Sequence, residues 1–291
     1  MLTQSPLNLF KMAQEKGVAL GSFNVFNVEM FQAVVRAAEK KRCPIIIATG
    51  EVDIQYFPPE VAMALVDVMV RKSDLPMIMH LDHCTSVELA ERCLKDGYSS
   101  IMIDGSSLPY EKNVEMTRSV VQMARWFGVP VEGELGVILG TREYFESTRN
   151  DVQKAVATDP QVAEDFVKRT GIHTLAPSVG TAHGVYVEKP KINFSILEQI
   201  ARRTNIPLVI HGGSGIPPED VRRCIQLGVA KVNVGTDLRR TLVDAVTREG
   251  TRPYGEARKI METAREAIGQ VVESWIDILE SGKILDEEGD E

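Results

Sequence analysis

Short apolar runs alternate with longer amphipathic stretches along nearly the whole chain of 291 residues. Positions 44–49 form a continuous run rich in β-branched residues, which is typical of a strand buried on both faces. Positions 28–41 instead repeat apolar residues at helical spacing, with Phe31, Val34, Val35 and Ala38 on one stripe. The same reasoning predicts eight strands, at 21–25, 44–49, 76–81, 99–103, 129–134, 174–179, 207–211 and 230–234.

Helices are expected between most of these strands, among them 28–41, 59–71 and 87–95, and two more follow the last strand at 237–249 and 257–281. Strict alternation of helices with buried strands indicates a parallel sheet. Eight repeats in a chain of this length favour a closed barrel over an open, doubly wound sheet. We therefore predict an α/β protein: one (β/α)₈ TIM barrel domain over residues 1–285 with additional C-terminal helices, and a disordered acidic tail at 286–291. The polar, irregular segment 139–159 is expected to be a mobile loop over a site.

Composition narrows the class of partner. The net charge is −8 and no long basic run occurs, which argues against nucleic acid. No apolar run approaches the roughly 18 residues of a membrane span, and the N-terminus lacks the pattern of a secretory signal. The four cysteines form no CxxC pair, so we expect reduced thiols and a cytoplasmic protein.

Three of the five histidines fall at or just beyond the carboxyl ends of predicted strands, where a barrel places its chemistry. His83 follows the third strand, His183 lies in VGTAHG after the sixth, and His211 ends the seventh. Three converging imidazoles make an open tripod of the kind zinc uses when a fourth position is kept for substrate, although cobalt and iron suit the same donors. The alternative is three core or hydrogen-bonding histidines, which is the role we expect for His173. His80 lies inside a strand and is expected to pack there or to support a metal ligand from behind.

Several carboxylates accompany these histidines. Asp82 stands beside His83 at a strand end, where it could exchange protons with a substrate oxygen or orient a ligand imidazole. Asp104 ends the fourth strand, and Glu134 with Glu132 ends the fifth. These three could orient metal ligands, hold an alternative metal position or make structural hydrogen bonds.

Two glycine-rich loops point to phosphate. HGGSG after the seventh strand and NVGT after the eighth occupy the usual phosphate site of such barrels. Backbone N–H groups in turns of this kind bind anions, and Ser214 and Thr236 add hydroxyl donors. Gly184 would let the backbone approach the same anion.

Taken together and in this order, HLDH, MIDGS, VEGELG, VGTAHGVY, PLVIHGGSG and KVNVGTDL resemble the class II fructose-1,6-bisphosphate and tagatose-1,6-bisphosphate aldolases, over about residues 21–281. The resemblance implies a carbon–carbon lyase of carbohydrate metabolism, such as glycolysis. Its reaction would split a ketose 1,6-bisphosphate reversibly into dihydroxyacetone phosphate and an aldehyde such as glyceraldehyde 3-phosphate. It also implies one catalytic Zn²⁺ per subunit, held by His83, His183 and His211, and a monovalent cation, Na⁺ or K⁺, near the phosphate.

The resemblance assigns further roles. Asp82 matches the acid/base that serves the C4 hydroxyl, and Asn24 matches an asparagine near the substrate. Arg258 matches an arginine that reaches a neighbouring subunit's site and holds the distal phosphate, which implies a homodimer or homotetramer. The dihydroxyacetone phosphate part would be held by Gly184, Gly212, Ser214, Asn233 and Thr236.

The sequence departs from the family pattern where a glutamate usually shuttles the C3 proton. Arg142 occupies that position, so either Glu143, one residue later, serves, or Glu146 does, or the step is altered. Gly235 and Ser107 also differ from the residues that many relatives carry. These departures leave the sugar and its C4 stereochemistry open. The alternatives are an aldolase for another phosphorylated ketose or keto-acid, a hydrolase using metal-activated water, and a non-catalytic sugar-phosphate binder.

Overall fold

A computed structural model of the protein describes residues 5–70, 73–138, 157–186, 188–251 and 256–286. Parallel strands close into a barrel in chain order, which confirms the predicted fold. The strands are β1 (Leu20–Asn24), β2 (Ile45–Gly50), β3 (Met77–Cys84), β4 (Ser100–Ile103), β5 (Val131–Leu135), β6 (Thr174–Pro177), β7 (Leu208–Ile210) and β8 (Val229–Val234).

Helices follow the strands around the outside of the barrel, and one precedes β1. They are α1 (Pro6–Glu15), α2 (Val28–Lys41), α3 (Glu51–Tyr56), α4 (Pro59–Val70), α5 (Val87–Asp96), α6 (Tyr110–Phe127), α7 (Pro160–Thr170), α8 (Phe194–Thr204), α9 (Pro218–Gln226), α10 (Thr236–Gly250) and α11 (Ala257–Leu279), with a 3₁₀ turn at Ser281–Ile284. In the part of the chain that the structure describes, none of these helices is long and apolar enough to cross a membrane.

Local sequence signals set the ends of α2. The Asn27 side chain accepts a hydrogen bond from the Met30 N–H, which satisfies one of the helix's unpaired donors. Lys40 and Lys41 lie in the last turn, where positive charge is favoured by the helix dipole. Arg42 then ends the helix with φ of 49°.

The N-terminal end of the barrel is closed by apolar packing. Leu9 and Phe10 of α1 pack with strand residues Leu20, Ile46 and Ile78 in a fully buried cluster. The 3₁₀ turn after α11 joins the same end, since the Ser281 hydroxyl donates to the Ala19 carbonyl at 2.7 Å. The opposite, carboxyl end of the strands is therefore the end left for chemistry.

The C-terminal helix α11 lies against α2 and α10. Lys40 and Lys41 of α2 pair with Glu273 and Asp277, both at 2.7 Å, and the Trp275 indole donates to Asp237 of α10 at 2.9 Å. The predicted C-terminal helices thus cover the outside of the barrel.

Strand ends differ from the predicted ones by up to three residues. The largest consequence concerns β3, which continues to Cys84 with irregular pairing between Leu81 and Cys84. His83 is therefore the second-last residue of β3, in the irregularly paired part of the strand, and does not lie beyond the strand as predicted. Nearly all of the predicted loop 139–159 and of the acidic tail 286–291 lies outside the described residues.

Candidate active site

Three histidine rings meet at the carboxyl end of the barrel. His83 Nε2 lies 3.1 Å from His183 Nε2 and 2.8 Å from His211 Nδ1. The three side chains come from β3, the loop after β6 and the residue directly after β7, as the strand-end positions predicted. His211 is fully buried, and the other two are partly exposed, so solvent reaches one side of the cluster.

The geometry of this histidine cluster fits a tetrahedral metal ion. Zinc binds imidazole nitrogen at about 2.0–2.1 Å, which sets neighbouring ligand nitrogens roughly 3.3 Å apart. The observed separations of 2.8 and 3.1 Å are close to that value. His83, His183 and His211 could therefore hold one divalent ion with little movement and leave its fourth position open.

The backbone at His83 is unusual. Its φ is 47°, a left-handed conformation that is uncommon for a residue with a Cβ. Such conformations cost about 1–3 kcal/mol and cluster at functional sites. Here the conformation coincides with the irregular pairing of β3 and accompanies the placement of the imidazole among the other two rings.

Asp104 and Glu134 lie behind His83. Its Nδ1 is 3.1 Å from Asp104 Oδ2 and 3.6 Å from Glu134 Oε2, and these three residues form a second group that could hold a metal ion. Burial and the nearby Asp104 raise the pKa of Glu134 well above its ordinary value. Burial opposes the His83 cation, but Asp82 and the bond to Asp104 outweigh it and raise the pKa of His83 to about 9.

Asp82 is held between two amides. Its Oδ2 accepts from Asn24 Nδ2 at 2.8 Å and its Oδ1 from Asn233 Nδ2 at 3.0 Å. The carboxylate is 3% exposed. Burial opposes its ionisation, but the His83 and His211 rings hold the pKa of Asp82 well below its ordinary value. The site thus contains an ionised, fixed carboxylate beside the histidine cluster.

Below the cluster lies a polar network that sequence reasoning did not assemble. Glu132 Oε1 accepts from His211 Nε2 at 2.8 Å, and Glu132 Oε2 accepts from Lys231 Nζ at 2.7 Å. Lys231 also lies 3.1 Å from His80 Nε2. The spacing along the strands could have indicated these residues. A polar residue of the site follows two positions later on the same strand in each case, for His80, Glu132 and Lys231.

A cleft of about 250 Å³ adjoins the histidine cluster on the side of β7 and β8. It brings together Gly184, Ser214 and Thr236, three residues that the sequence assigned to phosphate. The cleft also contains two basic side chains, Lys189 and Arg240, that the sequence analysis did not select. Lys189 pairs with Asp220 at 3.1 Å.

Gly212 in the HGGSG loop can only be glycine. Its φ is 65°, and an added Cβ would overlap the Ala182 carbonyl oxygen. The same loop is tied to the one after β6 through Tyr186, whose hydroxyl donates to the Gly212 carbonyl at 3.0 Å and accepts from the Ala182 N–H at 2.8 Å. The two loops therefore form one rigid wall beside His183.

Two predicted residues stand apart from this geometry. Arg258 lies in the first turn of α11 with a side chain 93% exposed, and it pairs with Glu256 at 2.7 Å. Glu143 lies outside the described residues, as do Arg142 and Glu146. Ser107 follows Ser106, whose N–H donates to Asp104.

Comparison with known proteins agrees with this geometry. The chain matches the family model described as fructose-bisphosphate aldolase class-II over residues 4–283. It is 38% identical over 275 residues to a probable fructose-bisphosphate aldolase of Bacillus subtilis (strain 168), covering 92% of this chain and 94% of the relative.

Two further relatives are named for other sugar phosphates. The chain is 37% identical over 280 residues to the D-tagatose-1,6-bisphosphate aldolase subunit GatY of Klebsiella oxytoca, covering 96% of this chain and 98% of the relative. It is 38% identical over 231 residues to a sulfofructosephosphate aldolase of Alkalicoccus urumqiensis, covering 79% of each. Identity is nearly equal in all three cases, so it does not select a sugar.

Proposed function

The chain belongs to the class II fructose-bisphosphate aldolase family, whose members are carbon–carbon lyases, and we propose that it cleaves a ketose 1,6-bisphosphate of the fructose or tagatose type. The products are dihydroxyacetone phosphate and an aldehyde such as glyceraldehyde 3-phosphate, and the reaction is reversible. The observation that carries the proposal is the ionised Asp82, clamped by Asn24 and Asn233 beside three convergent histidines.

His83, His183 and His211 would hold one Zn²⁺ per subunit, the metal implied by the family. A divalent ion there supplies Lewis acidity to a carbonyl oxygen. Asp104 accepts the Nδ1 proton of His83, and Glu132 accepts the Nε2 proton of His211. Each carboxylate therefore turns the opposite ring nitrogen towards the centre of the cluster.

Asp82 is the base for the C4 hydroxyl. Because its carboxylate is ionised, it can accept that proton as the C4 oxygen becomes the aldehyde carbonyl. The C3–C4 bond breaks, and its electron pair goes to C3. A proton must then reach C3 to complete dihydroxyacetone phosphate, and Glu143, or Glu146 in its place, would deliver it.

The cleft beside the cluster suits the phosphate of the dihydroxyacetone part. Gly184, Ser214 and Thr236 line it, Gly212 shapes its wall, and the N-terminus of α10 begins at Thr236, where an anion is favoured. Asn233 Oδ1 is buried and has no hydrogen-bond partner within the described residues, so it is available to a substrate hydroxyl. A Na⁺ or K⁺ ion near this phosphate belongs to the same proposal.

The distal phosphate would be held by Arg258 of a neighbouring chain, in a homodimer or homotetramer. Its exposure at the start of α11 supports this role.

A cytoplasmic location is consistent with the cysteines, all four of which lie in the described part of the chain as free, buried thiols.

A coupled assay for dihydroxyacetone phosphate tests the proposal. The zinc-loaded protein is given fructose 1,6-bisphosphate, tagatose 1,6-bisphosphate and a panel of other phosphorylated ketoses. Cleavage of one of the two bisphosphates is expected. Absence of product from every phosphorylated ketose would refute the proposal, and incorporation of solvent oxygen into a product would indicate a hydrolase instead.

Exchange of tritium at C3 of dihydroxyacetone phosphate separates an aldolase from a sugar-phosphate binder, because exchange requires a working base. Glu143→Gln and Glu146→Gln are compared in this assay. Loss of exchange in the first variant alone identifies Glu143, and loss in the second alone identifies Glu146. Unchanged exchange in both would exclude each as the C3 acid/base.

Cleavage of a different phosphorylated ketose is the second candidate, favoured by Gly235. A Cβ at this position would lie 3.0 Å from an Arg239 guanidinium nitrogen and 3.3 Å from Asn24 Oδ1. Glycine therefore leaves room for both the Arg239 guanidinium and the amide oxygen of Asn24, whose Nδ2 donates to Asp82. A cation on this side of the site would favour a substrate with another anionic or hydroxyl-rich group, and the same substrate panel detects it.

A further inference from the structure

Lys231 is buried inside the barrel, beneath the histidine cluster. It lies on β8 and has no exposed surface, and among the described residues it is the one buried lysine. Its Nζ contacts Glu132 of β5 at 2.7 Å and His80 of β3 at 3.1 Å. Since β8 pairs with β1 and β7, both contacts cross the barrel interior.

The donors and acceptors of this network fix where its protons are. A lysine ammonium has three donors and no acceptor, so Lys231 donates to both Glu132 Oε2 and His80 Nε2. The His80 ring must then carry its proton on Nδ1, which donates to Ser100 Oγ at 2.8 Å. Burial and the Lys231 charge lower the pKa of His80 to about 3, in agreement with a neutral ring that accepts from lysine.

Glu132 transmits this arrangement to the histidine cluster. One oxygen is occupied by Lys231, and the other lies 2.8 Å from His211 Nε2. A carboxylate only accepts, so His211 carries its proton on Nε2 and keeps the lone pair on Nδ1. That nitrogen is the one that lies 2.8 Å from His83 Nε2, at the centre of the cluster.

We propose that Lys231 is a positioning residue that holds Glu132 against His211 and thereby presents His211 Nδ1 to the metal. The proposal rests on the proposed metal site, but it concerns ligand orientation and not the choice of sugar. Without Lys231, Glu132 Oε2 loses the hydrogen-bond donor that reaches it at 2.7 Å across the barrel, and the carboxylate can rotate away from His211. Groups of this kind around metal ligands typically change metal affinity by about 10–100-fold.

Lys231→Met tests the proposal, because methionine fills similar space and donates no hydrogen bond. The metal-free proteins are labelled with ¹⁵N-histidine, and the ring nitrogens of His211 are observed by NMR. The wild type should show a single Nε2–H form and the variant a mixture of both tautomers. Zn²⁺ affinity, measured against a competing chelator, should fall about 10–100-fold.

Ser100→Ala is the matched control. It removes a buried hydrogen bond at the far end of the same network, through His80 and without contact to Glu132. Zn²⁺ affinity should therefore remain within about twofold of the wild type. An equal loss of affinity in Ser100→Ala and Lys231→Met would overturn the proposal, because general loosening of the interior would then explain both.

The double variant Lys231→Met/Glu132→Gln leaves no unpaired charge in the barrel and serves if the single variant does not fold. The glutamine amide at position 132 can turn either its NH₂ group or its oxygen towards His211. Weak Zn²⁺ binding and a mixture of both His211 tautomers are therefore expected. Zn²⁺ affinity and a tautomer equal to the wild type would overturn the proposal. A wild type that binds Zn²⁺ but cleaves no ketose would refute the proposed function alone, since neither readout uses a substrate.

Discussion

Replacement of Asp82 by asparagine separates proton transfer from metal binding. The carboxylate accepts one amide N–H on each oxygen, from Asn24 and from Asn233. An asparagine has one oxygen and one NH₂ group. With Asn24 and Asn233 oriented as they are beside the carboxylate, one of the two bonds becomes a contact between donors whichever way the new amide turns.

The expected magnitudes follow from this geometry. Loss of one hydrogen bond to a charged group costs about 1.5–3 kcal/mol, so the free energy of unfolding of Asp82→Asn should fall by about that amount. Loss of a general base lowers a rate by about 10²–10⁴-fold, which corresponds to roughly 2.7–5.4 kcal/mol in the barrier to cleavage. His83, His183 and His211 are unchanged, so bound zinc should remain.

The assay combines kcat for cleavage, zinc content of the same preparation, and tritium exchange at C3 of dihydroxyacetone phosphate. Cleavage should be lost while exchange persists, because the role proposed for Asp82 is at C4. Asp165→Asn removes an exposed carboxylate on α7 and should change none of the three. If Asp82→Asn loses zinc in proportion to activity, Asp82 orients a metal ligand and the reasoning is wrong.

Three other expectations concern the metal and the phosphate loops. His211→Ala should lose bound metal and activity together, and full activity in this variant would exclude the three-histidine site. With the pKa of His83 raised to about 9, the metal-free site holds a proton at neutral pH that metal must displace. Zn²⁺ affinity should therefore rise about tenfold per pH unit until about pH 9, and a plateau beginning near pH 6.5 would contradict the shift. Gly212→Ala places a Cβ against a backbone oxygen at positive φ, so it should lower the stability by more than about 1 kcal/mol and weaken binding of inorganic phosphate; an unchanged Tm would show that the loop adapts.

The barrel was predictable because its strands are buried on both faces and therefore read as continuous apolar runs. The run at 44–49 lies within one residue of β2 at each end. Helix α3 was not predicted, since six residues are too few for a helical stripe to stand out. The extension of β3 to Cys84 depends on irregular pairing with β4, which no local pattern indicates.

The histidines of the site could be selected because a barrel gathers the carboxyl ends of its strands at one place. Their hydrogen-bond partners could not be selected in the same way. The alternation of polar and apolar residues in KVNV, at 231–234, is typical of a strand whose polar side faces solvent. Only closure of the barrel shows that it points inward to Glu132 and His80. The mobile loop expected at 139–159 stays a prediction, because residues 139–156 lie outside the described part of the chain. The role of Glu143 stays a prediction for the same reason.

The interior of the barrel carries two polar layers with a two-residue period along the strands. Side chains alternate along a strand, so a residue and the one two positions later both face the interior. The pairs are His80 with Asp82, Glu132 with Glu134, and Lys231 with Asn233, all nine-tenths or more buried. In the lower layer, Lys231 and Glu132 neutralise each other and His80 is neutral. In the upper layer, Asp82 is ionised and its counter-charge in the metal-free protein is the His83 ring, whose pKa it raises to about 9, so a divalent cation bound there would replace that positive charge. The lower layer therefore orients the ligands through Glu132, while the upper layer leaves its negative charge for the metal and the reacting sugar.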